Sequence, residues 1–367
     1  MRKISNAKVG EMAKKKVTIT QVAQEAGVSI KTVSNVLNNT GNMREETRQR
    51  VRAVITRMGY QVNLAARSMR TGATKLIGLG IADFSQPFNP YLADSIIQAA
   101  RQRGYGVIIS TYGFHHQDVE SIIDQTHQLP ADGWIFFTGE ELTKGSVIFQ
   151  QSYPVVLASD FTAFNLVDSV TMAGYEAVRD AVHGLIEQGK KRIAFAGAVH
   201  RKAHEDDQDY LQRIQQAQYG TVSVRTKAYC DTLRLSGRDI DIHYLLSSPM
   251  LDHKSGVEVV GKILDNVNRG LAPLPDAIMC ANDALAFGVI HELAAHDIRI
   301  PQDVEIIGFD NVPEAQYSNP TLTTIDPHVD DYARKAVDYL IERIEGYQGE
   351  PRRFVSGYEI QRRQSSR

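Results

Sequence analysis

The sequence predicts an α/β body of two doubly wound parallel-sheet lobes, preceded by a small all-α helix-turn-helix domain. Three observations support this fold class: the helical pattern of residues 17–37, the positive charge before residue 76, and a later alternation of apolar strand-length runs with helix-period segments. Near-continuous apolar strands joined by helices are typical of parallel sheets covered on both faces. The body, residues 76–367, is large for one sheet and suits two lobes.

Residues 17–37, VTITQVAQEAGVSIKTVSNVL, predict two short helices joined by a turn. Thr18 can cap the first helix, Gly27 permits the left-handed turn, and Ser29 can cap the second helix. The side chains left outside on the second helix are polar: Lys31, Thr32, Ser34 and Asn35. This pattern is typical of a helix-turn-helix that places its second helix on DNA, although a plain helical hairpin would share it. A third helix over 45–58 completes a domain of residues 17–62.

Charge is segregated along the chain. Residues 1–75 contain 15 Lys and Arg against 4 Glu, a balance of +11, whereas the remainder has a balance of −13. A basic head on an acidic body indicates that only the head contacts nucleic-acid phosphates. Such contacts release counterions, so binding is expected to weaken steeply with salt.

Composition excludes several classes of protein. No apolar run approaches the ~20 residues of a membrane span. The basic tail, residues 1–16, is expected to be disordered and lacks the apolar core of a secretion signal; Met12 could be the biological start. Cys230 and Cys280 are expected to be ordinary buried thiols rather than a disulfide or metal pair. We therefore expect a cytoplasmic protein with no membrane partner, no metal and no cofactor.

The motifs of common enzymes are incomplete in this sequence. Gly78 and Gly80 begin a dinucleotide fingerprint, but Asp83 stands at its third position. Neither a phosphate-binding loop nor a G-x-S-x-G nucleophile turn occurs. The two histidines of HELAAH, residues 291–296, lie five apart and point about 140° apart on a helix, which is unsuited to one zinc ion. The sequence therefore predicts a protein that is not an enzyme.

The remaining segments organise the body. Residues 63–75 form either a linker or a hinge helix that folds on contact with DNA, because so short a helix is unstable alone. We assign about 76–171 and 305–330 to lobe 1, and about 172–304 and 331–367 to lobe 2. Ligands of such folds bind outside the carboxyl ends of the strands. Polar residues at those ends are Asp83, Ser85, Asp160, Asn282, Asp283 and Asp310.

The chain resembles the LacI/GalR family of bacterial transcription regulators from residue 17 to about 360. The resemblance rests on VTITQVAQEAGVSIKTVSNVLN, on ETRQRVRAVITRMGYQVNLAARSMRTGATKLIGLGIADFSQPF, on CANDALAFGVIHELAAHDIRIPQDVEIIGFDN and on PTLTTID. It implies a body like the periplasmic sugar-binding proteins and a homodimer, or a tetramer, on a pseudo-palindromic DNA operator. A small-molecule effector between the lobes, expected to be a carbohydrate, would change operator affinity, as in a repressor.

The resemblance also implies DNA-contacting residues. Asn35 stands where family members often have arginine; asparagine prefers adenine, and the lysine at position 31 prefers guanine. Met69 replaces a leucine that wedges into the minor groove; the alternative is that it packs on the body. The predicted DNA-contacting set is Thr18, Ser29, Ile30, Lys31, Thr32, Ser34, Asn35, Asn38, Ala66 and Met69.

The effector residues implied by the resemblance are Asp83, Ser85, Phe88, Asp160, Tyr210 and Asp283. Asp283 matches the family's pocket carboxylate, and Phe88 can stack on a ring. A structural turn or cap is the alternative for the polar positions.

Two departures from the family pattern concern the same pocket. Tyr210, in YLQRIQQA, stands where the family's R-L-x-G-Y-x-x-A pattern has arginine, with Arg213 one turn later, and VTMAGY, which contains Ala173, replaces V-x-x-D-N. The pocket would then bind an unusual effector or none. Three alternatives stay open: a regulator whose body only dimerises, a solute-binding protein of a transporter, and an enzyme that uses the interlobe cleft.

Overall fold

The computed structural model describes residues 17–37, 39–60, 72–113 and 119–367. The chain divides into two compact units, the first ending at Thr74 and the second running from Lys75 to Arg367. Within the described ranges the first unit is helical, and the second contains two six-stranded sheets. The predicted fold class is confirmed. The basic tail 1–16 and most of the segment 63–75 lie outside the described residues.

The first unit contains the three predicted helices: α1 (Ile19–Ala26), α2 (Ile30–Leu37) and α3 (Glu45–Met58). Thr18 caps α1, because its hydroxyl accepts the Gln21 N–H at 3.3 Å while the Gln21 side chain accepts the Thr18 N–H at 2.9 Å. Gly27 ends α1 with φ 62°, the left-handed geometry that glycine adopts without strain. The three helices enclose one apolar core, which consists of Val22, Ala23, Ala26, Val33, Val36, Val51 and Val54.

The first lobe of the second unit is built on one parallel sheet. Its strands are β1 (Leu76–Ile81), β2 (Gly106–Thr111), β3 (Trp134–Phe137), β4 (Val155–Ala158), β5 (Asp168–Met172) and β11 (Arg353–Ser356). Its helices are α4 (Phe88–Gln102), α5 (Ile123–Thr126) and α11 (Val329–Ile344). The strand order is β11-β5-β4-β3-β1-β2. Leu79 and Leu92 share one core with Leu340, so α4 and α11 cover the same face of this sheet.

The second lobe has the same design. Its strands are β6 (Ile193–Ala198), β7 (Leu245–Ser247), β8 (Ala277–Cys280), β9 (Glu305–Phe309), β10 (Thr323–Asp326) and β12 (Glu359–Gln361). Its helices are α6 (Gly174–Glu187), α7 (Asp207–Gln216), α8 (Thr221–Leu235), α9 (His253–Asn268) and α10 (Asp283–Ala295). The strand order is β12-β10-β9-β8-β6-β7, and β12 is antiparallel to β10. Short 3₁₀ turns occur at Val119–Ile122, Val147–Gln150, Ile242–Tyr244 and Pro313–Gln316.

The predicted limits of the lobes are wrong for β9, β10 and β11, whereas β12 lies in lobe 2 as predicted. The segment 305–330, assigned to lobe 1, contains β9 and β10 of the second sheet. The segment 331–367, assigned to lobe 2, contains most of α11 and all of β11, which belong to lobe 1. The chain crosses between lobes after β5, after β10 and again between β11 and β12. Because all buried strands are similarly apolar, local pattern does not reveal in which sheet each one pairs.

A buried ion cluster fixes the returning chain to the first sheet. The Asp168 carboxylate, fully buried in β5, accepts hydrogen bonds from Arg343 on α11 (2.8 Å) and from Arg352 before β11 (2.9 Å). Burial alone would raise the pKa of Asp168, but the hydrogen bonds from the two arginines hold that pKa below its ordinary value. Asp168 is therefore a carboxylate whose ionised form stabilises the fold.

Across the described ranges, no helix combines the length and apolarity that a membrane span requires.

Candidate functional site

The α2 helix presents a mixed polar and apolar surface. Lys31 is exposed, and 44% of the surface of Ile30 is accessible to solvent. Thr32 and Ser34 are half-buried. Ser29 begins this helix: its hydroxyl accepts the Thr32 N–H at 3.1 Å. The hydroxyls of Thr18 and Ser29 are thus engaged as caps, and their DNA contacts stay a prediction.

Asn35 is held by the loop that follows α2. It is half-buried, and a Cβ on Gly41 would lie 2.7 Å from Asn35 Nδ2, so the amide lies directly beside this glycine. The backbone carbonyl of Asn35 accepts the Thr40 N–H at 2.9 Å. The Asn35 side chain therefore packs against the loop at Gly41. Three other predicted DNA contacts, Asn38, Ala66 and Met69, lie outside the described residues.

A cavity of about 280 Å³ lies between the two lobes, at the carboxyl ends of β1, β3, β4, β8 and β9. Both lobes contribute polar groups to it, and lobe 1 contributes the aromatic rings. The aromatic residues are Phe88, Phe137, Phe161 and Tyr332. The charged and amide residues are Gln86, Asn89, Asp160, Arg225, Asn282 and Asp310. This placement matches the position expected for a ligand of a doubly wound fold.

Asp160 bridges the two lobes at the edge of the cavity. One carboxylate oxygen accepts the Thr171 hydroxyl at 2.8 Å and the Met172 N–H at 3.0 Å. The other oxygen accepts the Thr221 hydroxyl at 2.8 Å, from the start of α8 in lobe 2. The Asp160 backbone carbonyl also accepts the Gly220 N–H at 2.9 Å. The predicted residue therefore lines the cavity, and much of its hydrogen-bonding capacity is already used.

Arg225 is a buried cation at the base of the cavity. One terminal nitrogen donates to the Ala281 carbonyl at 2.5 Å, and the guanidinium carbon lies 3.4 Å from the centre of the Phe309 ring. Its Nε is buried without a hydrogen-bond partner in the described structure. Burial lowers the pKa of Arg225, while the charges of Asp310 and Asp160 raise it. A buried donor without a partner favours a bound ligand that supplies an acceptor.

Asp310 is the cavity's second carboxylate. It follows β9 with φ 122°, an unusual backbone conformation for a residue other than glycine. Only 6% of its surface is accessible to solvent. Burial raises the pKa of Asp310 to about 7, against the lowering effect of Arg225; the charge of Asp160 adds to the rise. Both the strained backbone and the shifted pKa are typical of functional positions.

Asp283 does not line the cavity, contrary to the sequence prediction. It is completely buried, and its carboxylate accepts the Val312 N–H at 3.0 Å and the Thr324 hydroxyl at 2.5 Å. Burial, then the charge of Asp310, raises its pKa well above the ordinary value. The preceding residue, Asn282, lines the cavity instead and caps α10 by accepting the Leu285 N–H at 2.9 Å. Asp283 therefore joins structural elements behind the cavity.

Tyr210 is also absent from the cavity. It is buried in the core of lobe 2, and its hydroxyl donates to the Val199 carbonyl at 2.7 Å. Arg213, the suggested substitute, forms an ion pair with Glu205 at 2.7 Å. The arginine of the cavity is Arg225, which begins the stretch RTKAYCDT and precedes Tyr229 by four residues, the spacing of arginine and tyrosine in R-L-x-G-Y-x-x-A. It lies on α8, one helix after the helix that contains Tyr210.

Asp83 and Ser85 shape the cavity edge without lining it. Asp83 accepts the Ser85 N–H at 2.7 Å and the Ser85 hydroxyl at 2.6 Å, which closes a tight turn after β1. The Asp83 carbonyl accepts the Asn89 side-chain amide at 3.0 Å. This turn positions Gln86, Phe88 and Asn89, all of which line the cavity. Phe88 lines the cavity with its ring 5.7 Å from that of Phe137, and its contact with an effector stays a prediction.

Comparisons with known proteins agree with this geometry. Residues 18–63 match the bacterial regulatory proteins of the lacI family, and residues 182–366 match a periplasmic binding protein-like domain. Catabolite control protein A of Priestia megaterium is 32% identical over 316 residues, which cover 84% of this chain and 87% of that protein. The chain belongs to the LacI family. It is a transcriptional regulator with a DNA-binding domain and a ligand-binding body.

Solved structures of the LacI family share the fold. A LacI-type transcription regulator from Bifidobacterium animalis subsp. lactis is 43% identical, with a TM-score of 0.73 over 80% of this chain and 99% of that one. The lac repressor dimer bound to operator and the anti-inducer ONPF is 19% identical, with a TM-score of 0.74 over 96% of this chain and 99% of that one. At that identity the second likeness concerns the fold alone.

Proposed function

We propose that this LacI-family protein is a repressor that binds a pseudo-palindromic operator as a homodimer, and that a carbohydrate in the interlobe cavity changes operator affinity. The observation that carries the effector proposal is the composition of the cavity. Four aromatic rings, all from lobe 1, line the cavity together with carboxylate, amide and guanidinium groups that come from both lobes. Sugars have apolar ring faces that stack on aromatic residues and hydroxyl edges that need both donors and acceptors.

The proposal for DNA rests on α2 and on charge. Ile30 and Lys31 are exposed on this helix, in the domain that matches the lacI family. The basic balance of residues 1–75 supplies the attraction to phosphates. A homodimer follows from symmetry, because two copies of one helix read two inverted half-sites. The lac repressor structure of the same fold is a dimer bound to its operator.

Arg225 weakens one of the two arguments for an effector-free regulator. That alternative depended on Tyr210 at the family's arginine position and on VTMAGY, which contains Ala173, in place of V-x-x-D-N. The cavity contains a buried arginine with a free Nε and a second carboxylate at Asp310. Such groups cost stability when they are buried without partners, so their presence supports a retained ligand site.

The effector can change operator affinity only if it binds one conformation of the body more tightly than another. Asp160 already joins the lobes through Thr171 in lobe 1 and Thr221 in lobe 2. A sugar beside Asp160 would add contacts to both lobes and so stabilise one interlobe arrangement. The effector would act through this difference in free energy between arrangements.

Selection of DNA by the full-length chain tests the operator and dimer proposals. Bound fragments from a random duplex library are expected to share two inverted half-sites, and sedimentation of the complex is expected to show two chains per duplex. Operator affinity would then be measured with and without a panel of sugars. Selected fragments with a single half-site, or one chain per duplex, would contradict the homodimer; four chains would indicate a tetramer.

Asn35→Ala is expected to relax base preference at one operator position in each half-site and to cost about 1–3 kcal/mol of binding free energy, because the amide reads a base edge. Quantitative binding to single-base operator variants measures both effects. Lys31→Ala, on the same helix, is the matched variant and should relax a different position. Equal weakening on every sequence by Asn35→Ala would show that the amide does not read bases.

A further inference from the structure

Negatively charged groups outnumber positively charged groups in the lining of the cavity. Two carboxylates, Asp160 and Asp310, line it. Among the described lining residues, Arg225 is the single cation. With all three ionised, the cavity has a net charge of −1. This imbalance bears on the chemical class of the ligand, since charges in a buried site are poorly screened.

The guanidinium of Arg225 is already engaged in contacts with the protein. Arg225 donates to the Ala281 carbonyl at 2.5 Å, and one face of its guanidinium is covered by the Phe309 ring at 3.4 Å. Its second terminal nitrogen approaches Met172 Sδ at 3.9 Å. The unpartnered Nε is the buried donor that remains for a ligand. One such donor suits a hydroxyl or ring oxygen, whereas a phosphate presents several strong acceptor oxygens.

Asp310 is the carboxylate with the greater capacity for a ligand. Asp160 accepts three hydrogen bonds, from the Thr171 hydroxyl, the Met172 N–H and the Thr221 hydroxyl. The Asp310 carboxylate accepts from the backbone N–H of Asp283. The charged groups around Asp310 are Arg225 on α8, Asp160 after β4 and Asp283 on α10. A ligand hydroxyl would donate to Asp310 without altering this charge balance. An incoming phosphate dianion would instead face two carboxylates.

We propose that the effector of this protein is an uncharged sugar, that its phosphorylated form is rejected, and that Asp310 is the main determinant of this choice. The proposal rests on the carbohydrate-effector function proposed above and narrows its ligand class. Asn282 supports the same class: after capping α10 and donating to the Leu251 carbonyl at 2.9 Å, its amide retains one N–H and one lone pair. A donor and an acceptor on one amide match a hydroxyl, which is itself both.

Paired ligands test the proposal on the full-length protein at pH 8, where Asp310 is ionised. The probes are glucose, fructose, sucrose and trehalose, each compared with its 6-phosphate by thermal unfolding and by calorimetric titration. At least one uncharged sugar is expected to raise the unfolding midpoint, with its phosphate bound at least tenfold more weakly. A ligand at about 100 times its Kd adds a few degrees.

Asp310→Asn tests the determinant. The amide cannot replace a carboxylate that accepts from two hydroxyls, so binding of the uncharged sugar should weaken about tenfold. The preference over the phosphate should narrow, because one negative charge is gone. Unchanged sugar affinity in this variant would overturn the role of Asp310.

The remaining outcomes separate the two proposals. A sugar phosphate that binds as tightly as its uncharged partner overturns the charge-selection proposal and leaves the carbohydrate proposal intact. Absence of any shift with all eight probes overturns the carbohydrate proposal, and the charge selection falls with it.

Discussion

Asp310→Asn is expected to stabilise the protein at pH 8 by up to about 4 kcal/mol and to have little effect near pH 4. Burial raises the pKa of Asp310 to about 7, from 3.8 for an exposed aspartate. Between these values the unfolded chain has lost the proton that the folded chain retains. Stability due to this group therefore falls as pH rises from about 4 to about 7, and the asparagine, which does not titrate, avoids the loss.

The measurement is the free energy of unfolding of both proteins by denaturant at several pH values. Removing the charge of Asp310 also lowers the pKa of Asp283, since Asp310 contributes to raising it. Asp168→Asn is the matched control with opposite sign: its pKa is lowered by Arg343 and Arg352, so its ionised form stabilises the fold at neutral pH. A difference between wild type and Asp310→Asn that does not vary with pH would contradict the assigned charge state.

Gly288→Ala is expected to lower the free energy of unfolding by about 3 kcal/mol, the upper part of the usual range for overpacking. Gly288 lies where α9 and α10 cross. A Cβ there would be 2.0 Å from the His253 carbonyl oxygen and 2.9 Å from the Gly256 Cα, and both are backbone atoms that cannot rotate away. The helices must therefore separate. Because α10 begins beside Asn282, the separation should also weaken effector binding.

Thermal or denaturant unfolding of the purified variant checks this effect. Gly261→Ala is the matched control, since Gly261 lies within α9 and a Cβ there would meet open space. That substitution should stabilise the protein by about 0.5–1 kcal/mol, because alanine is the better helix former. A Gly288→Ala protein as stable as the wild type would show that the two helices do not approach each other closely at Gly288.

Local signals in the sequence determined the first unit and the family. The cap at Thr18, the left-handed Gly27 and the helix over 45–58 each depend on residues within a few turns of one another, and all occur as predicted. Strand-length apolar runs likewise predicted the two-sheet body. These features depend on neighbouring residues, so the chain order alone specifies them.

The tertiary structure decided which residues line the cavity. The sequence patterns did not indicate a role for Arg225, because its helix α8 also buries Thr226 and Thr232 and so has no clear apolar stripe. At the start of α10, the choice of Asn282 over Asp283 depends on how β8 turns into the helix, since neighbouring side chains there point in different directions. Lobe membership after residue 304 depends on strand pairing between distant segments. Sequence determined the elements and the family, and long-range packing determined the chemistry of the site, because side-chain direction and pairing arise only when the whole body assembles.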